Sequence, residues 1–123
     1  MEQNLIRGKH ILLVDDEPSV RGAFRMMLEI DDHKVTEASN GAEALDLFTK
    51  GQFDLVMTDF EMPLMKGNEL ALRIKKSAPK QPILMITVYG KELGDSENPV
   101  DAILNKPFTI NDLRRAIWNL VSD

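Results

Sequence analysis

Acidic, hydroxyl and basic side chains recur in this sequence directly after short apolar runs. Asp15, Asp16 and Glu17 follow Ile11-Leu12-Leu13-Val14, and Asp59 closes the segment that begins Leu55-Val56-Met57. Thr87 follows Ile83-Leu84-Met85-Ile86, and Asn105-Lys106-Pro107 follow Ala102-Ile103-Leu104. Taken singly, each has an ordinary reading: a helix cap, a turn residue, a solvated lysine. Taken together they suggest chemistry, provided the runs are strands whose ends share one edge. Carboxylates held close together repel and raise one another's pKa. A hard cation such as Mg²⁺, which prefers oxygen ligands, relieves that conflict. Asp59 could then stay ionised and act as a nucleophile, as carboxylates do when they form aspartyl-phosphates. An incoming phosphoryl group needs positive charge and donors around its oxygens. Lys106 offers the charge and Thr87 a hydroxyl, so the set is coherent for phosphoryl transfer to a carboxylate.

The elements that must position these residues follow from periodicity. The four apolar runs lack polar alternation, the habit of parallel strands covered on both faces. Lys34 to Ala38 is more polar and reads as a further strand at an edge. Between the runs lie helical stretches. Pro18 to Ile30 carries Val20, Phe24, Met27 and Leu28 at helical spacing, with Pro18 suited to the first turn. Asn40 to Lys50 opens on the cap pair Asn40 and Glu43 and stops at Gly51. A third helix is expected from about Met65 to Ala78, ended by Pro79. A last one is expected from Ile110 to Val121, capped by Thr109 with Asp112 three residues on and an apolar face of Ile110, Leu113, Ile117 and Leu120. Repeated βα units imply a parallel sheet with right-handed crossovers. In such sheets ligands bind beyond the carboxyl ends of the strands, where strand order reverses.

Composition sets limits. The 123 residues, 43% hydrophobic and 28% charged, suit one folded domain. A net charge of −5 argues against direct nucleic-acid binding and against docking on an anionic membrane. With no cysteine there is neither disulfide nor thiolate metal site. No apolar run is long enough to span a bilayer, and Met1 to His10 lacks the apolar stretch of a secretory signal, so a cytoplasmic location is expected. His10 and His33 stand apart from the acidic residues and are given no metal or proton-shuttle role. Met26, Met27, Met57, Met62, Met65 and Met85 read mostly as core filler. Trp118 is expected to be partly buried against the fifth strand.

With these residues in place, the chain resembles the receiver domains of two-component response regulators. The resemblance rests on Val14-Asp15-Asp16-Glu17, Asp59 followed by Met62-Pro63 and Gly67, Thr87, and Lys106-Pro107-Phe108. It runs from about His10 to Leu120. It implies a three-layer α/β fold with a five-stranded parallel sheet in the order 2-1-3-4-5, the flavodoxin-like arrangement, and places the domain at 10–123 behind an extension at 1–9. It implies that Asp59 is the phosphoacceptor. Mg²⁺, or Mn²⁺ in its place, would be held by Asp15, Asp16, Asp59 and the backbone carbonyl of Glu61. Thr87 and Lys106 would contact the phosphoryl group, and the Lys106-Pro107 bond would be cis. The implied donor is a sensor histidine kinase or a small phosphodonor, and the implied output a partner-binding surface on a downstream protein or linked domain. The domain would be a monomer or a phosphorylation-linked dimer, and would catalyse only its own phosphorylation and dephosphorylation.

Two features depart from the family pattern, and two further residues fall at positions that vary within it. Gly90, Gly94 and Pro99 fall in the segment where a full fourth helix is usual, so a short, frayed or absent helix is expected between Lys91 and Glu97. Ile103 stands where the family usually carries an aromatic switch residue. Glu61 and Tyr89, two residues beyond Asp59 and Thr87, are expected to tune phosphoryl lifetime, and signalling is expected to work by reshaping Tyr89 to Val100. Competing readings are a degenerate receiver that binds partners without phosphorylation, and an unrelated α/β enzyme. The second lacks support: there is no D-x-D after the first strand, no phosphate-cradling G-x-x-x-x-G-K, and no hydroxyl-rich flavin loop.

Overall fold

The computed structural model describes residues 5–88 and 99–122. Among the described residues the elements follow in the order β1 (His10–Val14), α1 (Pro18–Ile30), β2 (Lys34–Ala38), α2 (Gly41–Lys50), β3 (Leu55–Asp59), α3 (Gly67–Ser77), β4 (Ile83–Thr87), β5 (Ala102–Asn105) and α4 (Ile110–Val121). All five strands are parallel in the order β2-β1-β3-β4-β5, as expected. The polar strand β2 lies at an edge, where one side of its ladder needs no partner.

Strand alternation splits the core in two. Ile11, Leu13, Leu55, Met57, Leu84 and Ile86 point to one face, where Leu28 of α1 and Leu113 and Ile117 of α4 cover them. Leu12, Val14, Val56 and Ile83 point to the other, under Ala44 of α2 and Leu70, Ala71 and Ile74 of α3. Both faces of the sheet are therefore dry, which is why the apolar runs show no alternation.

The caps follow the sequence signals. The Asn40 side chain accepts from the Glu43 amide at 2.8 Å, and Glu43 in turn accepts from the Ser39 amide. Thr109 and Asp112 form a reciprocal capping box at the start of α4. The third helix is shorter than expected, because residues 61–66 form a loop that crosses the end of β3 before Gly67. Met57, Met62 and Met85 are buried as expected. Met26 is 69% exposed, since it sits on the outer side of α1. Trp118 is half-buried. The expected irregular helix between Lys91 and Glu97 lies outside the described residues.

The opposite end of the sheet, where helices return to strands, is held by polar ties. Asp31, 4% exposed at the end of α1, receives two hydrogen bonds from Arg114 of α4, each 2.9 Å. Lys75 of α3 meets Asp101 at 2.8 Å, and Asp101 also accepts from the Ile83 amide. His33 is 5% exposed, and its Nδ1 accepts from the Lys9 amide at 3.0 Å. Burial holds its pKa below the ordinary 6.5, against the pull of Asp31 and Asp32. Accepting at Nδ1 requires a neutral ring. Below pH 6.5 the unfolded chain therefore binds a proton that the folded chain resists, and stability falls with pH. Denaturant midpoints should decline as pH is lowered from about 7 to about 5. His33→Gln should flatten that slope, and an unchanged slope would count against His33 as its source.

Candidate functional site

Parallel strands bring all their carboxyl ends to one edge, and order reverses between β1 and β3, whose neighbours on the other side are β2 and β4. Two strands that diverge to opposite sides leave a crevice at that edge. Asp15 and Asp16 enter it from the β1–α1 loop and Asp59 from the end of β3. One carboxylate oxygen from each lies within 4.8 Å of the others. Lys106, from the β5–α4 loop, reaches across to place Nζ 2.8 Å from Asp59 Oδ1. Thr87, 2% exposed, sits at the end of β4, one residue beyond Ile86, the register partner of Asp59. Its carbonyl accepts from the Lys106 amide at 3.0 Å, which ties the two loops together. The Lys106-Pro107 peptide is cis, as expected.

The electrostatics are unbalanced toward negative charge. Asp15 and Asp59 are 2% and 7% exposed. Burial raises the pKa of both above the ordinary carboxylate value. For Asp59 burial outweighs the hydrogen bond and charge of Lys106, and the neighbouring Asp16 and Glu61 push in the same direction as burial. Asp15 is fixed by its surroundings. Its amide donates to the Ala38 carbonyl, and its Oδ1 accepts from the Glu17 amide at 2.9 Å. Its Oδ2 is buried and has no hydrogen-bond partner among the described residues. An orphaned buried carboxylate oxygen is costly unless something fills its lone pairs. Three clustered carboxylates, with one buried Asp15 oxygen lacking a donor, form the kind of oxygen-rich set a hard divalent cation prefers.

The loop after β3 holds Asp59 from behind. The Phe60 amide donates to the Ile86 carbonyl, and the Gly67 amide to the Phe60 carbonyl at 2.9 Å. The Thr58 hydroxyl donates to the Asp59 carbonyl at 3.0 Å. A Cβ at position 67 would lie 2.4 Å from that same carbonyl oxygen, so only glycine lets α3 start this close to β3. Leu64, at the outer turn of this loop, is fully exposed with φ of 71°.

The residues expected to tune the site are placed differently from one another. Glu61 is exposed and pairs with Lys66 at 3.2 Å, and Lys66 also lies over the Phe60 ring. Ile103 is half-buried in the middle of β5, beside Met85 of β4. Tyr89 lies outside the described residues. Beside Lys106 an apolar hollow of about 440 Å³ opens between Phe24, Met27, Val88, Pro107 and Phe108.

Arg21 and Glu37 escaped the sequence reading. Arg21, in the first turns of α1, donates from Nη1 to the Asp15 carbonyl at 2.7 Å. Its Nε donates to Glu37 of β2 at 2.6 Å. The signal was present as an arginine six residues after Asp15 and a glutamate inside a short strand. Nothing in the spacing alone, however, joins α1 to β2 at that point.

Residues 11–118 match the family described as response regulator receiver domain. The chain is 32% identical over 111 residues to the autoinducer 1 sensor kinase/phosphatase LuxN of Vibrio harveyi, an alignment covering 89% of this chain and 13% of LuxN. It is equally identical over 111 residues to the transcriptional regulatory protein GlrR of Escherichia coli, covering 88% of this chain and 25% of GlrR. The chain thus spans a minor part of these relatives. Among solved structures it resembles the response regulator TrrA of Thermotoga maritima in complex with Mg²⁺-BeF, with 34% identity and a TM-score of 0.85 over 91% of this chain and 98% of TrrA. TrrA bound to the histidine kinase ThkA superposes with a TM-score of 0.83 at 34% identity, over 93% of this chain and 99% of that one. With the motif residues gathered at one sheet edge and the match running almost end to end, the chain belongs to the response regulator receiver domain family of two-component systems.

Proposed function

We propose that this domain is a phosphorylation switch whose acceptor is Asp59. The observation that carries the reading is the convergence of Asp15, Asp16 and Asp59 with Lys106 on one crevice, with Asp15 Oδ2 left unsatisfied. Asp15, Asp16 and Asp59, with the backbone carbonyl of Glu61, would hold Mg²⁺, which when bound neutralises the carboxylates and the phosphoryl oxygens. The chain's own part is positional. Asp59 presents a carboxylate oxygen to phosphorus, an O–P bond forms, and the bond from phosphorus to the donor's leaving group breaks. Lys106 balances charge on the Asp59 side, and the Thr87 hydroxyl donates to a phosphoryl oxygen. The complex of TrrA with ThkA supports a histidine kinase as donor. LuxN and GlrR carry related domains in a sensor kinase/phosphatase and in a transcriptional regulator, so the family serves more than one output.

Incubation with acetyl phosphate and Mg²⁺ should add the mass of one phosphoryl group to the intact protein, and Asp59→Asn should abolish the adduct. Omitting Mg²⁺ should suppress it. A protein that binds Mg²⁺ yet gains no mass would instead act as a phosphorylation-independent interaction module. An adduct that persists in Asp59→Asn would move the acceptor elsewhere.

A further inference from the structure

Asp15 has four polar groups, and three are taken: the amide by Ala38, Oδ1 by the Glu17 amide, and the carbonyl by Arg21. The Arg21 bond is the only one of the three made by a charged side chain. It is itself braced. Glu37 takes Arg21 Nε on one carboxylate oxygen and Arg25 Nη1 on the other, and Arg25 Nε reaches Glu29 at 2.9 Å. Arg21 and Glu37 are well shielded, with side chains 17% and 27% exposed. Glu37 pairs in register with Leu13, two residues before Asp15, so the brace is built on the strand adjacent to the loop it steadies. The Arg21 amide also donates to the Glu17 carbonyl at 2.9 Å, closing the first turn of α1 against the same loop.

We infer that Arg21, braced by Glu37, is a positioning residue: it clamps the Asp15 carbonyl and so fixes the β1–α1 loop with Asp15 Oδ2 and Asp16 aimed at the divalent cation. This rests on the proposed Mg²⁺ site and adds to it residues that touch neither metal nor phosphoryl group. Charge and position make opposite demands here, which gives the inference a sign. Arg21 is a cation close to a cation site, so by charge alone its removal would strengthen Mg²⁺ binding. By position its removal would weaken it. Lysine keeps the charge but lacks the planar fork that serves two acceptors at once, so Arg21→Lys isolates the clamp from the charge.

Mg²⁺ affinity of the unphosphorylated protein, measured by isothermal titration calorimetry, reads this without any turnover. Arg21→Lys should weaken Mg²⁺ binding by about tenfold, the lower range for loss of a group that orients a metal ligand. Glu37→Ala should weaken it in the same direction, and Glu37→Gln, which keeps an acceptor for Arg21 Nε, should recover most of the loss. A general loss of stability would not produce that recovery at matched folded fraction, checked by circular dichroism. If Arg21→Lys fails to fold, the Glu37 pair decides alone. Affinity equal to or tighter than wild type in Arg21→Lys, or in Glu37→Ala when the lysine variant does not fold, overturns the inference. A wild-type protein that binds no Mg²⁺ removes the underlying site, and the inference with it.

Discussion

Gly67→Ala should cost about 3 kcal/mol of stability, in the upper range for forcing atoms into a packed site. The added methyl would sit 2.4 Å from the Asp59 carbonyl oxygen, 3.0 Å from Phe60 Cα and 3.1 Å from the Asp59 carbonyl carbon. All three are backbone atoms, so no side chain can swing aside. Either α3 retreats or β3 does. A retreating α3 gives up the bond from the Gly67 amide to the Phe60 carbonyl and loosens Leu70 and Ala71 from the core. A retreating β3 carries Asp59 away from Lys106. The loss should appear as a lower denaturant midpoint, with weaker Mg²⁺ binding alongside it. Gly22→Ala is the natural control. It lies inside α1 with nothing within 4 Å of the added atom, and alanine there should raise stability by about 0.5–1 kcal/mol. Equal effects at both glycines would mean the close approach at Gly67 is not what matters.

Lys106→Ala should slow phosphorylation by acetyl phosphate about 10²-fold, the scale for losing one preorganised charge or donor at a developing anion. The Nζ–Oδ1 distance of 2.8 Å puts the ammonium against the proposed acceptor, and the 7% exposure of Asp59 leaves little water to replace it. Lys106 is also the cation acting against the burial that raises the Asp59 pKa, so its removal should raise that pKa further. The rate deficit should consequently widen as pH is lowered and more Asp59 becomes protonated, whereas losing a simple docking contact would give a constant deficit. Time courses of adduct formation by mass spectrometry at several pH values distinguish the two. A rate within a few-fold of wild type would remove Lys106 from the chemistry.

Much of this architecture could be read beforehand, for identifiable reasons. Ile11 to Val14, Leu55 to Met57 and Ile83 to Ile86 are buried on both faces, and an unbroken apolar run is the direct imprint of that burial. The caps at Asn40 and Thr109 are local, made within three residues, so sequence carries them almost completely. Asp59 and Lys106 were legible because strand ends of a parallel sheet share an edge. The start of α3 was misplaced because Met65 and Lys66 have ordinary helix propensity, and only the approach of Gly67 to the Asp59 carbonyl fixes the boundary. Arg21 was missed because its partners, the Asp15 carbonyl and Glu37, are a backbone atom and a residue of the neighbouring strand, neither of which a spacing rule reaches. Met26 is the exception among methionines that are mostly core filler, because methionine is equally at home on either side of an amphipathic helix.

The ties Asp31–Arg114, Lys75–Asp101 and His33–Lys9 all lie where strands begin, whereas Asp15, Asp59 and Lys106 lie where strands end. The molecule is polarised: one pole carries ion pairs and hydrogen bonds that join its elements, the other a cluster of three carboxylates beside one lysine. Robustness and reactivity can therefore drift separately. Substitutions at the anchoring pole can reset the melting temperature while the crevice keeps its geometry, and the crevice can be retuned with the opposite pole left intact.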